Sequence, residues 1–119
     1  MEKTAIVSKE GLEMWLFTKH GFFSAVKNYN NGDYIHVRAR FKGDLDRLCE
    51  AYNLVPNVVK TPKGDYPYRM DFPREIWAFI VKHEAESIDY TDFEVAVRDG
   101  SKRYRAYLEA WTVLHKYQD

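Results

Sequence analysis

The sequence predicts an α+β domain in which an antiparallel sheet of about five strands carries helices packed on one face. Two observations predict this class. Segments in which apolar and polar residues alternate indicate strands, and segments with apolar residues three and four positions apart indicate helices. These segments follow one another in the order β-β-β-α-β-β-α-α-α. We expect the apolar face of the sheet and the apolar stripes of the helices to bury each other.

The first three strands are predicted to form a meander. Two short aromatic-rich runs, residues 14–18 and 22–26, flank a connection that contains Gly21, which is typical of a hairpin. The segment Asn30-Asn31-Gly32-Asp33 indicates the next turn, because Asn and Gly tolerate positive φ. Residues 34–41 then alternate with a period of two, as a half-buried strand does. One predicted face carries Ile35, Val37, Ala39 and Phe41, and the other carries His36, Arg38, Arg40 and Lys42.

Two more strands are predicted after the first helix. Residues 58–61 form the fourth strand and residues 66–72 the fifth. Pro67 indicates that the fifth is an edge strand or that a strand starts there, because proline cannot donate to a sheet ladder. One face of the fifth strand is predicted to carry Tyr66, Tyr68, Met70 and Phe72.

Four helices are predicted from apolar stripes at helical spacing. They cover residues 44–52, residues 74–87, a short segment that a capping box begins, and the end of the chain. The residues that indicate their ends are Asp44 at the first N-terminus, Asn53 after the first helix, Thr91 and Glu94 in the capping box, and Ser101 as the last N-cap.

Length and composition limit the class of protein. The chain of 119 residues suits one domain, which we place at residues 14–119, with residues 1–13 as an N-terminal extension. The 18 basic and 18 acidic residues cancel, which excludes a histone-like nucleic-acid binder and a strongly acidic mimic. The single cysteine permits no intrachain disulfide, and no segment has the pattern of a signal peptide or a membrane span. We therefore expect a cytoplasmic protein with no membrane partner.

The polar face of the third strand is the main candidate site. Three of its side chains, His36, Arg38 and Arg40, are predicted to project together with no acidic residue among them. Alternate residues of a strand lie about 7 Å apart on one face, close to a single-strand phosphate spacing. Arginine binds phosphate bidentately, and aromatic residues on neighbouring strands would add a stacking surface. The predicted ligand-binding set is Arg38, Arg40, Arg69, His36, Trp15, Phe17 and Tyr66, with Phe22 or Phe23 beside it.

The same pattern also has a purely structural interpretation. A charged strand face is commonly a solvated surface whose cations pair with carboxylates on neighbouring strands, such as Asp71. An acidic run further along the chain offers other partners, within the chain or across a dimer. Its residues are predicted to cap helices and meet solvent rather than to bind metal; they are Glu84, Glu86, Asp89, Asp92 and Glu94.

No catalytic residue, metal site or cofactor is predicted. The four histidines show no zinc-site spacing. Cys49 lies on the apolar stripe of the first helix, which favours a buried structural thiol over a nucleophile. The chain also has no glycine-rich phosphate loop and no dinucleotide fingerprint.

Several short motifs give the chain a resemblance to a known family. They are Met14-Trp15-Leu16-Phe17-Thr18-x-x-Gly21-Phe22-Phe23-Ser24, Val37-Arg38-Ala39-Arg40, Asp65-Tyr66-Pro67-Tyr68-Arg69, Ile88-Asp89-Tyr90-x-x-Phe93, and a last helix with Tyr107 and Trp111. In these motifs the chain resembles a family of small uncharacterised bacterial proteins over about residues 14–114. That family has no known activity, so the resemblance implies no function. Its motifs include the polar-face residues Arg38, Arg40, Tyr66 and Arg69.

The sequence leaves three functions open. The first is a non-enzymatic binding domain that contacts single-stranded nucleic acid or a phosphorylated ligand through its basic and aromatic sheet face. The second is a protein–protein adaptor or inhibitor, with a homodimer as one form, because tyrosine and tryptophan anchor many interfaces. The third is a small enzyme whose site the sequence does not show.

Overall fold

A computed structural model describes residues 13–61, 64–88 and 102–119 of the chain. In these residues five strands and three helices follow the predicted order, so the α+β class is confirmed. In chain order they are β1 (Met14–Phe17), β2 (Phe22–Lys27), β3 (Tyr34–Ala39), α1 (Lys42–Ala51), β4 (Val59–Lys60), β5 (Tyr68–Pro73), α2 (Arg74–Glu86) and α3 (Lys102–Lys116).

The five strands form one antiparallel sheet in the order β1-β2-β3-β5-β4. The predicted first hairpin is confirmed, since the backbone groups of Thr18 and Gly21 bond to each other across a two-residue turn. The fifth strand is not at the edge, because β5 lies between β3 and the two-residue β4. Pro67 instead directly precedes β5, where its missing N–H disrupts no ladder.

The hydrophobic core lies between one face of the sheet and the first two helices. We call this side of the sheet the covered face. Its alternation confirms the predicted orientation of Ile35, Val37 and Ala39, and both α1 and α2 pack on β3 and β5. The buried core residues are Phe23, Ala25, Ile35, Val37, Ala39, Met70 and Phe72 of the sheet, Leu45, Leu48 and Cys49 of α1, and Trp77 and Ile80 of α2.

The end of β3 differs from the prediction. The strand stops at Ala39, two residues before the end that the alternation over residues 34–41 predicts, and α1 begins at Lys42. Phe41 is the N-cap of α1, its carbonyl accepting the N–H of Asp44 at 3.1 Å, and Lys42 is the first helical residue. The predicted places of Phe41 and Lys42 on the strand faces are therefore wrong. An ion pair between Lys42 and Asp46 at 2.8 Å lies along the first turn of the helix instead.

Helix α1 ends as predicted near Asn53. This residue has a left-handed backbone with a φ of 56°, which asparagine adopts more easily than most residues. The N–H of Leu54 donates to the carbonyl of Cys49 at 2.8 Å, and the N–H of Asn53 donates to that of Glu50 at 3.3 Å. These two bonds form a Schellman motif, which satisfies the last carbonyls of the helix.

The chain divides into two compact units, Met1–Ser87 and Ile88–Asp119. In the second unit α3 confirms the predicted last helix, and it carries a stacked pair of Trp111 and His115 rings with centroids 5.0 Å apart. The capping box of Thr91 and Glu94, the short helix that it begins and the N-cap Ser101 lie outside the described residues. None of the helices in the described ranges is long and apolar enough to cross a membrane.

Candidate functional site

The face of the sheet opposite α1 and α2 holds the candidate site, and we call it the open face. Strand register places Trp15 of β1 opposite Ser24 of β2, Ser24 opposite Arg38 of β3, and Arg38 opposite Arg69 of β5. Because facing residues of antiparallel strands project to the same side, these four side chains form one row across the sheet. The sheet thus brings together an indole, a hydroxyl and two guanidinium groups that are far apart in sequence.

Aromatic rings cover the β1 side of the open face. Phe17 stacks on Phe22 with ring centroids 4.4 Å apart, and Trp15 meets Phe22 edge-on at 5.9 Å. Phe22 is thus the open-face member of the Phe22/Phe23 pair, and Phe23 belongs to the core. Trp15 is 63% exposed and Phe17 is 41% exposed, so both present ring surface to solvent.

Tyr66 joins the aromatic rings to the arginines. The guanidinium carbons of Arg38 and Arg40 lie 4.6 Å and 4.4 Å from the centroid of its ring, which is within cation–π range. Its ring centroid also lies 6.4 Å from that of Phe22. The prediction that Tyr66 shares a face with Met70 and Phe72 is wrong. Tyr66 precedes the first residue of β5, so the alternation of that strand does not govern it.

A carboxylate outside the predicted site neutralises Arg38. One oxygen of Glu13, Oε2, accepts hydrogen bonds from Trp15 Nε1 at 2.6 Å, from Arg38 Nη2 at 3.0 Å and from the Ser24 hydroxyl. Arg38 Nη2 also donates to Ser24 Oγ at 2.7 Å. The hydrogen bond from Ser24, followed by that from Trp15, lowers the pKa of the Glu13 carboxyl below its usual range. We call Glu13 and its three donors the Glu13 site.

The other two arginines of the set bind only backbone carbonyls in the described part of the chain. Arg40 Nη1 donates to the carbonyl of Asp65 at 2.9 Å, and Arg69 Nε donates to that of Tyr66 at 3.0 Å. No carboxylate of residues 13–61, 64–88 or 102–119 forms an ion pair with either guanidinium. Their positive charge is therefore not cancelled by a direct partner in these ranges.

His36 lies at the margin of the open face with a carboxylate of its own. Its Nδ1 is 2.9 Å from Oδ1 of Asp71, which also accepts a hydrogen bond from Asn28 at 2.8 Å. The structural interpretation of the sequence expected Asp71 to pair with the cations of this face. In the structure Asp71 pairs with His36 and not with the arginines. In the Glu13 site the partner of Arg38 comes from the residue just before β1.

All seven predicted site residues lie on or beside the open face, whereas Glu13 and Ser24 are absent from the predicted set. Glu13 has the same parity as Trp15 and Phe17, which is a signal that its side chain lies on the face of β1 that carries these two rings. Its assignment to an N-terminal extension concealed that signal. Ser24 has the same parity as Phe22, which is the corresponding signal that its side chain lies on the same face of β2 as Phe22.

Two further carboxylates act on the helix side of the sheet. Asp44 is fully buried and accepts a hydrogen bond from the backbone N–H of Phe22 at 3.1 Å and another from Arg47. Glu84, predicted as part of a solvated acidic run, bonds to Nδ1 of His20 at 2.9 Å and to the Tyr52 hydroxyl at 2.5 Å. Asp44 therefore connects α1 to the β1–β2 hairpin. Glu84 connects α2 to the turn of the same hairpin and to Tyr52 at the end of α1.

The titratable side chains on the helix side of the sheet have surroundings typical of structural residues. In the described residues no group of three histidines, cysteines or carboxylates is placed to hold a metal ion. Cys49 is buried, and burial raises the pKa of its thiol, which keeps the thiolate population low. Burial, followed by the bond to Glu84, also raises the pKa of the Tyr52 hydroxyl.

Comparison of the chain with protein-family models, with curated proteins and with solved structures finds no match. The resemblance to a family of small bacterial proteins stays a prediction.

Proposed function

We propose that the open face binds single-stranded nucleic acid. One observation carries the proposal: two exposed aromatic side chains, Trp15 and Phe17, lie on the same sheet face as two arginines that have no carboxylate partner in the described residues. Bases stack on exposed aromatic rings whatever their sequence, and arginine contacts phosphate. A sheet that offers both on one face resembles the stacking platforms of single-strand binders in its physics.

Each part of the open face has a role in this proposal. Trp15 and Phe17 provide stacking surface, and Phe22 supports Phe17 from below. Arg40 and Arg69 contact phosphates. Tyr66 is only 5% exposed and holds Arg38 and Arg40 in place through cation–π contact rather than stacking on a base. His36, held by Asp71, lies at the margin.

The net charge of zero predicts the character of the binding. Long-range steering toward a polyanion is weak for a neutral protein, so we expect modest affinity that depends on local contacts. Each phosphate contact still releases counterions, so affinity falls steeply as salt concentration rises.

A titration of fluorescently labelled 12-nucleotide single strands of RNA and of DNA tests the proposal. Fluorescence anisotropy at low and at moderate salt is measured for the wild type, Arg40→Gln and Arg69→Gln. We expect each variant to weaken binding for all sequences and to flatten the salt slope by about one unit. Lys82→Gln, which removes an exposed cation of α2, is the matched control and should bind as the wild type does. Absence of binding by the wild type at low salt would refute the proposal, as would unchanged binding by both arginine variants.

A protein interface is the second candidate function, and the exposure of Trp15 favours it as well. Tryptophan, tyrosine and arginine are the residues that most often carry the binding energy of protein interfaces. A homodimer through the open face would bury Trp15 and would tolerate salt better than phosphate contacts do. Light scattering over a range of protein concentrations, with Trp15→Ala as the variant, distinguishes this candidate from a monomer that binds nucleic acid.

A further inference from the structure

We infer that the Glu13 site is a phosphate-binding position of the open face and that the Glu13 carboxylate is its resident occupant. This inference rests on the proposed function and extends it in two ways. It adds a phosphate contact at Arg38, and it makes the Glu13 carboxylate a competitor of the phosphate. Neither Glu13 nor Ser24 belongs to the set that the sequence predicts. The site takes an anionic oxygen, here that of a nucleic-acid phosphate.

The donors of this position are built into the sheet. They come from three adjacent strands, with Trp15 opposite Ser24 and Ser24 opposite Arg38 in the register. All three donate to the same carboxylate oxygen. Ser24 is fully buried, and the Tyr66 ring lies against the Arg38 guanidinium. The strand register therefore places the three donors side by side before any ligand arrives, which lowers the entropic cost of binding an anion.

The chemistry of the position suits a phosphate oxygen as well as a carboxylate. A guanidinium, a hydroxyl and an indole N–H all donate, and charge-assisted hydrogen bonds to an anionic oxygen are the strong ones. Arg38 Nε is buried and has no hydrogen-bond partner in the described residues, so the guanidinium retains a donor that Glu13 leaves unused. The exposed ring of Trp15 in addition provides a surface on which the neighbouring base stacks.

The Glu13 carboxylate, unlike its three donors, belongs to a residue outside the strands. Glu13 precedes β1 and takes no part in its ladder, and its side chain is 37% exposed. Its carboxylate can therefore move into water and stay hydrated while a phosphate oxygen takes its place. Binding of nucleic acid thus exchanges the Glu13 carboxylate for a phosphate oxygen. The affinity for nucleic acid is lower than that of an empty site, because the hydrogen bonds to Glu13 must first be broken.

A double-mutant cycle on Glu13 and Arg38 tests this exchange. Binding of a labelled 12-nucleotide uridine RNA at low salt is measured for the wild type, Glu13→Gln, Arg38→Gln and the double variant. We expect Glu13→Gln to tighten binding by about three- to tenfold and to steepen the salt slope by about one unit. In the Arg38→Gln background the same change should alter affinity by less than about twofold, because no arginine is left to expose. Glu75→Gln, which removes an acidic charge from the first turn of α2, should bind as the wild type does.

The outcomes separate this inference from the proposed function. Binding by the wild type together with an equal effect of Glu13→Gln in both backgrounds overturns the exchange and leaves the proposed function in place. Absence of binding by all four proteins removes both. Binding that appears only in Glu13→Gln refutes the proposed function for the wild type and overturns the exchange, because the phosphate then does not displace the Glu13 carboxylate.

A measurement on the wild-type protein guards against variants that fail to fold. The indole N–H resonance of Trp15, assigned by comparison with Trp15→Phe, reports the hydrogen bond to Glu13. We expect this resonance to shift when the uridine RNA is added, since the acceptor of the indole N–H changes from a carboxylate to a phosphate. An unchanged resonance at saturating RNA overturns the inference.

Discussion

The covered and open faces use alternate residues of the same strands but differ in what organises them. In β2, Phe23 and Ser24 are both fully buried although they point to opposite sides. Phe23 is buried by the apolar side chains of the strands and helices. Ser24 is buried within a polar network that depends on Glu13, a residue outside the strands. The burial of Phe23 therefore reflects apolar packing, whereas the burial of Ser24 reflects a network of hydrogen bonds between polar side chains.

This difference predicts different effects of mutation. The covered face sets the free energy of unfolding, because removal of apolar volume from a core leaves a cavity. Changes to the exposed side chains of the open face, such as Trp15 and Phe17, should alter binding more than stability, because exposed side chains contribute little to folding.

The largest effect is expected from a matched pair of phenylalanines. Phe23→Ala should lower the free energy of unfolding by about 3–5 kcal/mol, because the side chain is fully buried in the core. Phe17→Ala should lower it by only about 1 kcal/mol, the worth of its stacking contact with Phe22. Urea unfolding monitored by circular dichroism measures both. Equal losses would contradict the division between the two faces.

The next effect concerns the buried carboxylate of the covered side. Asp44→Ala should cost about 2 kcal/mol, because the N–H of Phe22 then loses its acceptor. The cost stays below that of a fully buried ion pair, since Arg47 is 39% exposed and can be hydrated. Asp46→Ala is the control, because its pairing with Lys42 lies on the surface of the same helix. A control variant as unstable as Asp44→Ala would show that the loss reflects helix α1 rather than the buried bond.

Two glycines should respond differently to the same added methyl group. A Cβ at Gly21 would come within 2.5 Å of the Asp44 side chain, so Gly21→Ala should cost about 1–3 kcal/mol. A Cβ at Gly32 would meet only the Cδ of Lys27 at 3.7 Å, so Gly32→Ala should leave stability within about 0.5 kcal/mol. Thermal unfolding of the two variants gives the comparison. Equal midpoints would mean that the hairpin and Asp44 are farther apart than the structure shows.

The smallest effect comes with a pH signature. Tyr52→Phe should cost about 1 kcal/mol, because it removes the hydroxyl bonded to Glu84. The pKa of Tyr52 is raised in the folded state, so the stability that it contributes is present below the ordinary tyrosine pKa of about 10 and is lost as the pH rises above it. Unfolding of the wild type and of Tyr52→Phe at pH 7 and pH 10.5 should show a difference that shrinks at the higher pH. A constant difference would rule out the proposed protonation linkage.

The covered face could be predicted from sequence because it depends on local periodicity. The alternation of Ile35, Val37 and Ala39 and the helical spacing of Leu45 and Leu48 each refer to one element. The sheet order could not be read in the same way. That β5 inserts between β3 and β4 depends on pairing between distant segments, which a local pattern does not encode.

The open face could be predicted only in part. The periodicity of β3 found Arg38, and the aromatic content of β1 found Trp15 and Phe17, since these are properties of single strands. The partner of Arg38 was not found, because Glu13 lies outside the strand that the pattern delimits. The side of the sheet that Tyr66 occupies was also missed, since the bend before β5 reverses the expected parity.

The order of the strands also has a consequence for the path of folding. β1 pairs with β2, and β2 pairs with β3, each across a short turn, so these contacts close small loops at little entropic cost. The pairing of β3 with β5 is different, because the chain runs through α1 and β4 before it returns. Both α1 and α2 pack on this pair of strands, so neither helix gains its full packing until β5 pairs with β3. We therefore expect docking of β5 to be the non-local step on which the folding rate depends most.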